Sequence, residues 1–137
     1  MKKIFFFQFL LIANICYGAK PPPEILDQMA ILSNIEATIS TCLDSDDYKK
    51  LNAEQALKFH DVSINISKTI ELIEKKYNDD MAYLVVKMNS MDISSKAEFK
   101  SVFAKTYSRK CAPQILVDTN QALDITSRKI KTITNRR

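Results

Sequence analysis

The chain has 137 residues, of which 46% are hydrophobic and 26% are charged, which is enough for one domain with a hydrophobic core. This composition excludes a disordered or collagen-like chain. Gly18 is the only glycine, and the formal net charge is +4 at pH 7. Since phosphate-binding loops and dinucleotide fingerprints are built on glycines, neither can be formed after Gly18.

The N-terminal residues have the pattern of a secretory signal peptide. Lys2 and Lys3 precede an apolar run over residues 4–13, and the small residues Gly18 and Ala19 follow it. The apolar span is shorter than the roughly 20 residues that a membrane crossing needs, so a retained anchor is the less favoured alternative. We therefore predict a signal peptide over residues 1–19 and a single helical domain over residues 20–137, exported to the periplasm or secreted.

Removal of the leader would leave two cysteines, Cys42 and Cys111. An exported chain passes through an oxidising compartment, and two cysteines allow only one intramolecular pairing. Closing a loop of about 70 residues would stabilise the domain by up to about 4 kcal/mol. We predict a disulfide between them. Because Arg109 and Lys110 precede Cys111, a free thiolate favoured by positive charge is the alternative.

The first predicted helix covers residues 24–43, where apolar positions recur at spacings of 3 and 4. These positions are Ile25, Met29, Leu32, Ile35, Ile39 and Cys42. Pro23 and Glu24 suit a first helical turn. The aspartate cluster at residues 44–47 predicts a turn after the helix.

The second predicted helix begins at Asn52 and Gln55, which have the spacing of a capping box, and runs for about six turns to Tyr77. Asn78 follows it and is predicted to adopt the left-handed conformation that glycine would otherwise supply. A shorter apolar stripe then predicts a third helix. Its members are Met81, Leu84, Val85, Met88 and Met91.

Two further helices complete the predicted fold. Ser95 and Glu98 again have capping-box spacing, and apolar residues continue from there to Tyr107. From Gln114 to Ile133 a repeat of 3 and 4 residues predicts a fifth helix, although its many β-branched residues leave a strand as the alternative. The sequence thus predicts an all-α fold, a small antiparallel bundle of four to five helices stapled by one disulfide.

Residue types that support catalysis are scarce. His60 is the only histidine, so a pair of histidine metal ligands is excluded, and the glycine of a nucleophile elbow is missing. The acidic clusters at residues 44–47 and 79–80 lack the glycine and distant glutamate of a calcium loop, and are interpreted as favourable charges at helix ends. We predict a protein that is not an enzyme and holds no cofactor or metal.

The charge is divided unevenly along the chain. Residues 20–95 carry 8 basic and 13 acidic residues, whereas residues 96–137 carry 10 basic and 3 acidic residues. The C-terminal cations are Arg128, Lys129, Lys131, Arg136 and Arg137. They would suit an acidic protein surface or anionic lipid headgroups, or could simply neutralise the acidic half and the helix dipole. Nucleic acid is not expected, because an exported chain rarely meets it and aromatic residues do not alternate with these cations.

These observations favour a small exported protein that acts by binding another macromolecule, as an inhibitor, immunity factor or adaptor, with the five cations as the candidate partner-binding residues. The alternative is a membrane-surface protein that binds anionic lipid through its basic C-terminal helix. Ile125, Ile130 and Ile133 would then form the apolar face. Asn65 begins an N-glycosylation pattern, which matters only in a eukaryotic secretory route.

Overall fold

The computed structural model describes residues 20–107 and 114–136, and in these ranges the chain forms five α-helices and no strand. The helices are α1 (Pro23–Leu43), α2 (Ala53–Tyr77), α3 (Ala82–Ser95), α4 (Ala97–Tyr107) and α5 (Gln114–Thr134), with a short 3-10 turn at Tyr48–Lys50. The all-α prediction is confirmed. The C-terminal segment is a helix, so the alternative of a strand there is wrong. The predicted signal peptide, Cys111 and Arg137 lie outside the described residues.

Helices α1, α2 and α5 supply most of the core, on the faces that the sequence predicts. Helix α1 packs against α3 and α5, and α2 packs against α5, α3 and α1. The fully buried aliphatic and aromatic side chains include Ile25, Leu32, Ile39, Phe59, Ile66, Ile70, Ile73, Ile115 and Ile130. The carboxylate of Glu24 at the start of α1 pairs with Arg136, just beyond the end of α5. The two helices therefore run antiparallel.

Both predicted ends of α2 are confirmed. The Asn52 side chain accepts a hydrogen bond from the Gln55 backbone N–H at 2.9 Å, and the Gln55 side chain accepts one from the Asn52 N–H at 3.2 Å. This capping box satisfies two backbone donors that the first turn leaves without partners. At the other end Asn78 has φ 49° and ψ 46°, in the left-handed region. Asparagine takes the role that glycine has in most helix ends of this kind.

Helix α3 presents the opposite face to the core from the one that its apolar stripe suggests. The large residues Met81, Leu84, Val85, Met88 and Met91 are all exposed. The buried residues of α3 are Ala82, Val86 and Ser90, at spacings of 4. Side chains this small allow α3 to approach α1 closely, which large side chains on that face would prevent.

An ion pair between the half-exposed Lys87 and a buried carboxylate also fixes the rotation of α3 about its axis. The Lys87 ammonium donates to the carboxylate of Glu36, which is buried on α1. Lys87 also lies 5.7 Å from the centre of the Tyr83 ring, within the range of a cation–π contact. A buried carboxylate is costly unless it is paired. Rotating α3 to bury its large apolar face would remove Lys87 from Glu36.

Helix α4 begins differently from the sequence prediction. Ser95 is the last residue of α3, and its hydroxyl donates to the Asp92 carbonyl at 2.7 Å. Lys96 is the extended residue between the two helices, and its carbonyl accepts the first α4 bond from the Lys100 N–H at 3.1 Å. The predicted capping box between Ser95 and Glu98 is therefore wrong, because α3 continues one turn further than its apolar stripe.

Helix α4 lies at the edge of the bundle and has no buried residue. Its aromatic side chains form a row, with Phe103 5.9 Å from Phe99 and 5.2 Å from Tyr107 between ring centres. The Tyr107 hydroxyl donates to the Asp118 carboxylate of α5 at 3.5 Å. Partial burial and the negative charge of Asp118 raise the pKa of Tyr107 above its ordinary value.

Cys42 is fully buried near the end of α1. It is the only cysteine in the described residues, so the predicted bridge to Cys111 gains no support from them and stays a prediction. Among the same residues, no helix combines the length and the apolar character that crossing a bilayer requires.

Candidate functional site: a charged groove and an exposed apolar helix face

A groove runs between the first turns of α1 and the C-terminal half of α5, and we refer to it as the α1–α5 groove. Its volume is about 520 Å³. The side chains along it are Glu24, Asp27, Gln28, Ile125, Arg128, Lys129, Thr132, Ile133 and Arg136. The groove exists because α1 and α5 are antiparallel, which brings the acidic start of one helix beside the basic end of the other.

Three of the five predicted partner-binding cations line this groove. Arg128 pairs with Asp124 on its own helix at 2.7 Å, and Arg136 pairs with Glu24 of α1 at 3.0 Å. All four of these side chains are well exposed, and exposed ion pairs contribute only about 0–1 kcal/mol. Lys129 makes no ion pair with any other described residue. The cations are thus open to exchange with carboxylates of a partner.

Gln28 lines the α1 side of the groove and is only 8% exposed. No hydrogen-bond donor within the described residues reaches its buried Oε1 atom. A buried acceptor without a donor costs about 1–3 kcal/mol. In the free protein, the Oε1 atom of Gln28 therefore has no hydrogen-bond donor among the described residues. It lies in the wall of the α1–α5 groove, which the cations also line.

The remaining predicted cations are not in the groove. Lys131 lies on the other side of α5, where it lines a depression against Asn65, Lys68 and Leu72 of α2. Arg137 is outside the described residues. The cations that were grouped from the sequence as one surface therefore lie on two sides of α5, as far as the described residues show.

The second surface is the apolar face of α3, defined here by Met81, Leu84, Met88 and Met91. Their spacings are 3, 4 and 3, which places them along one side of the helix. All four are among the exposed large hydrophobic residues, and Met91 is 71% exposed. Apolar side chains clustered on a surface in this way mark an interaction site more often than scattered ones do.

Among the described residues, His60 does not belong to a cluster of metal-ligating side chains. His60 is exposed on α2, with Ser63, Ser67 and Lys87 around a shallow depression. Within the described ranges, no three His, Cys, Asp or Glu side chains are grouped as a metal ion would require. His60 and its surroundings present no oriented nucleophile and base.

The acidic clusters act as helix caps and local ion pairs, as interpreted from the sequence. Asp79 accepts a hydrogen bond from the Met81 N–H at 3.0 Å, and Glu74 accepts one from the Tyr83 N–H at 3.0 Å. Both carboxylates lie at the start of α3, where the helix dipole favours negative charge. Sequence reasoning had assigned Glu74 no specific partner.

Sequence reasoning missed the contributions of α1 to the groove. Glu24, Asp27 and Gln28 have no local motif, and they acquire their surroundings only from the neighbouring α5. The exposure of the α3 face did have a signal, because Ala82, Val86 and Ser90 form a second row of small residues on the opposite side of the helix.

Comparison with known proteins identifies no relative. No family model matches the chain, and neither a curated protein nor a solved structure matches it. The function is therefore inferred from the surfaces described above.

Proposed function

We propose that the chain is an exported, non-enzymatic binding protein that recognises an acidic protein through the α1–α5 groove. The single observation that carries this proposal is the convergence of Arg128, Lys129 and Arg136 on one groove. The exposed Ile125 and the half-buried Ile133 also line the groove, so apolar contact accompanies the charge. Interfaces of this composition combine electrostatic steering with desolvated anchors.

Export is supported by the sequence pattern of residues 1–19, with lysines before an apolar run and small residues after it. In the same proposal, Cys42 and Cys111 form a disulfide in the oxidising compartment. The complete burial of Cys42 supports a structural cysteine rather than a reactive one. Intact-mass measurement of the mature protein, with and without reductant and alkylation, tests both points in one experiment. An uncleaved chain with two alkylatable thiols would contradict them.

The unmet Gln28 acceptor supports the groove as the contact. Turning the side chain toward the groove would let a backbone N–H of the partner donate to it, and a partner that supplies the missing donor gains what the free protein lacks. The inhibitor, immunity-factor and adaptor roles share this requirement for a rigid, shaped surface.

A membrane-surface role is less well supported. Ile130 is fully buried and Ile133 is half-buried in the core. Of the three isoleucines that this role needs, only Ile125 is exposed. Insertion of α5 into a lipid surface would therefore require the bundle to open.

The test compares two lysines on opposite sides of α5. Both Lys129 and Lys131 are exposed, but only Lys129 lines the groove. Lys129→Glu and Lys131→Glu change the charge by the same amount, so a difference between them reports on the groove rather than on the net charge. We expect Lys129→Glu to slow association with the partner by about fivefold or more and Lys131→Glu to slow it much less.

The partner is first isolated with wild-type bait from an extract of the cell envelope, purified, and then used for kinetics at several salt concentrations. Equal effects of the two variants would rule out the groove as the contact. Flotation with phosphatidylglycerol vesicles separates the lipid alternative. Salt-sensitive flotation of the folded protein without a protein partner would favour the membrane role instead.

A further inference from the structure

We propose that the α1–α5 groove binds a short zwitterionic peptide of about two residues. The groove presents three groups to such a ligand, namely an unpaired carboxylate, an unpaired ammonium group and a buried acceptor without a donor. The inference goes beyond the proposed function, because this ligand needs no protein partner. Since both would occupy the same groove, a bound peptide would compete with the partner.

Two of the five charged side chains that line the groove are unpaired. Glu24, Arg128 and Arg136 belong to the two ion pairs described above. Asp27 on the α1 wall and Lys129 on the α5 wall are exposed, and neither makes an ion pair with another described residue. Opposite charges held apart on two walls attract a ligand that carries both charges, whereas a purely acidic segment would leave Asp27 without a counter-charge.

The buried amide of Gln28 distinguishes the groove from a surface that is only charged. Gln28 lies next to Asp27 on α1 and is 8% exposed, and its Oε1 atom has no donor among the described residues. Because a buried acceptor without a donor is unfavourable, a rotation of this side chain toward an N–H group of a ligand would be favoured. The peptide N–H of a dipeptide is such a donor, whereas an inorganic anion has none.

The separation of the two unpaired charges along the groove sets the length of the ligand. The Glu24–Arg136 ion pair marks one end. Given the rise per residue of a helix, Asp27 lies roughly 4.5 Å from this end along α1, and Lys129 lies roughly 10.5 Å from it along α5, a difference of about 6 Å. An extended dipeptide spans about 7 Å, and a free amino acid spans about half of that. The dipeptide therefore matches the spacing better.

The size of the groove also suits a ligand of this kind. Its volume of about 520 Å³ lies within the range of roughly 300–1,000 Å³ that small-molecule sites have. Because Asp27 and Lys129 are exposed, their attraction for the ligand is screened by water and salt. We therefore expect a dissociation constant of about 1 mM at low salt, which should increase as salt is added.

The first test varies the ligand in the absence of a protein partner, so its outcome is independent of the proposed function. Alanyl-alanine is titrated into the isotope-labelled protein, purified with the N-terminus that the cell leaves on it, and the backbone amide signals are followed by NMR. We expect the signals of groove residues to shift. The dissociation constant should increase about fivefold or more when the ammonium group is acetylated, when the carboxylate is amidated, or when alanyl-N-methylalanine removes the peptide N–H.

Two results of this titration would overturn the inference. One is the absence of shifts at about 20 mM alanyl-alanine, well above the expected dissociation constant. The other is equal binding of the acetylated or amidated peptide, since either would mean that one of the two charges is not recognised. A protein that fails to bind the dipeptide but still binds its partner through Lys129 would leave the proposed function intact.

The second test varies the groove and uses matched controls outside it. Lys129→Glu and Asp27→Asn should each weaken binding of alanyl-alanine about fivefold or more. Lys131→Glu and Asp61→Asn change exposed charges that do not line the groove, and each should change binding less than about twofold. Equal effects of the groove variants and their controls would rule out the groove as the peptide site.

Gln28→Met tests the buried acceptor separately from the charges. The variant removes an unmet polar group from a buried position, so its unfolding temperature should be equal to or above that of the wild type. It should bind alanyl-alanine about threefold or more weakly and should no longer discriminate against alanyl-N-methylalanine. If the folded variant kept the discrimination of the wild type, Gln28 would not be the acceptor for the peptide N–H.

Discussion

Helices α1 and α3 pack against each other, and each carries a row of large apolar side chains, but the two rows have opposite surroundings. The row on α1 faces the core, with Ile25, Leu32 and Ile39 fully buried. The row on α3 faces solvent, and Ala82, Val86 and Ser90 make the contact with the bundle instead. Helical periodicity therefore identifies a face, and the competition between faces decides which one is buried.

Two factors decide which face of α3 is buried against α1. They are the short distance between the two helices and the charge of Glu36. Small residues permit a short distance between helix axes, and the buried Glu36 requires the cation that Lys87 supplies. Rotation of α3 would leave the buried Glu36 carboxylate unpaired, which is unfavourable, and would place large side chains where close packing against α1 requires small ones. The large side chains are left outside, where they can serve binding.

The largest expected effect separates the two rows directly. Leu32→Ala removes a fully buried side chain of α1 and should lower the free energy of unfolding by about 2–5 kcal/mol. Met88→Ala in the α3 row should change it by less than about 0.5 kcal/mol. Urea unfolding measures both. A loss of similar size at Met88 would mean that the α3 row belongs to the core.

A smaller effect is expected at the ion pair that orients α3. Lys87→Met leaves the buried Glu36 carboxylate without its donor and should cost about 1–3 kcal/mol of unfolding free energy. Adding Glu36→Gln should recover part of that loss, since a double-mutant cycle reports the coupling between the two side chains. Lys58→Met is the control, because Lys58 pairs with Glu54 on the exposed side of α2. If the Lys87 and Lys58 variants behaved alike, the pair would not orient α3.

The smallest effects concern the two predicted capping boxes. Asn52→Ala removes a cap that the structure contains and should lower the unfolding free energy by about 1 kcal/mol. Ser95 ends α3 and donates to the preceding turn, so Ser95→Ala should stay within about 0.5 kcal/mol of wild type. Thermal unfolding of both variants provides the comparison. If Ser95→Ala lowered the unfolding free energy as much as Asn52→Ala does, the result would support a capping box between Ser95 and Glu98 after all.

Much of the fold could be predicted because its signals are local. The stripes of α1, α2 and α5, the Asn52 cap and the left-handed Asn78 all follow from residues within a few positions of one another. The face of α3 could not be predicted from its apolar stripe alone, because its burial depends on Glu36, which lies 51 positions away in the chain. The local spacing of apolar residues identifies the helices. The rotation of a helix about its axis depends on contacts with residues that are distant in the chain.

Of the residues that line the α1–α5 groove, only the cations of α5 could be predicted as functional candidates from the sequence. Density of positive charge identified Arg128, Lys129 and Arg136, but their convergence with Glu24 and Gln28 depends on α1 and α5 being antiparallel neighbours. No pattern within either helix specifies that pairing. The carboxylates and the unmet Gln28 acceptor therefore entered only with the three-dimensional structure.

The position of α4 at the edge of the bundle makes it the helix that we expect to unfold locally first. It has no fully buried side chain, and only Phe103 and Tyr107 pack partly against the core, so its backbone amides are less protected than those of α1 and α2. Regions of this kind open independently of the rest, exchange their amide hydrogens first and are the first to be nicked by a protease. Partial digestion should therefore cut near residues 97–107 while α1 and α2 are still intact, so the bundle tolerates loosening at this edge without losing its centre.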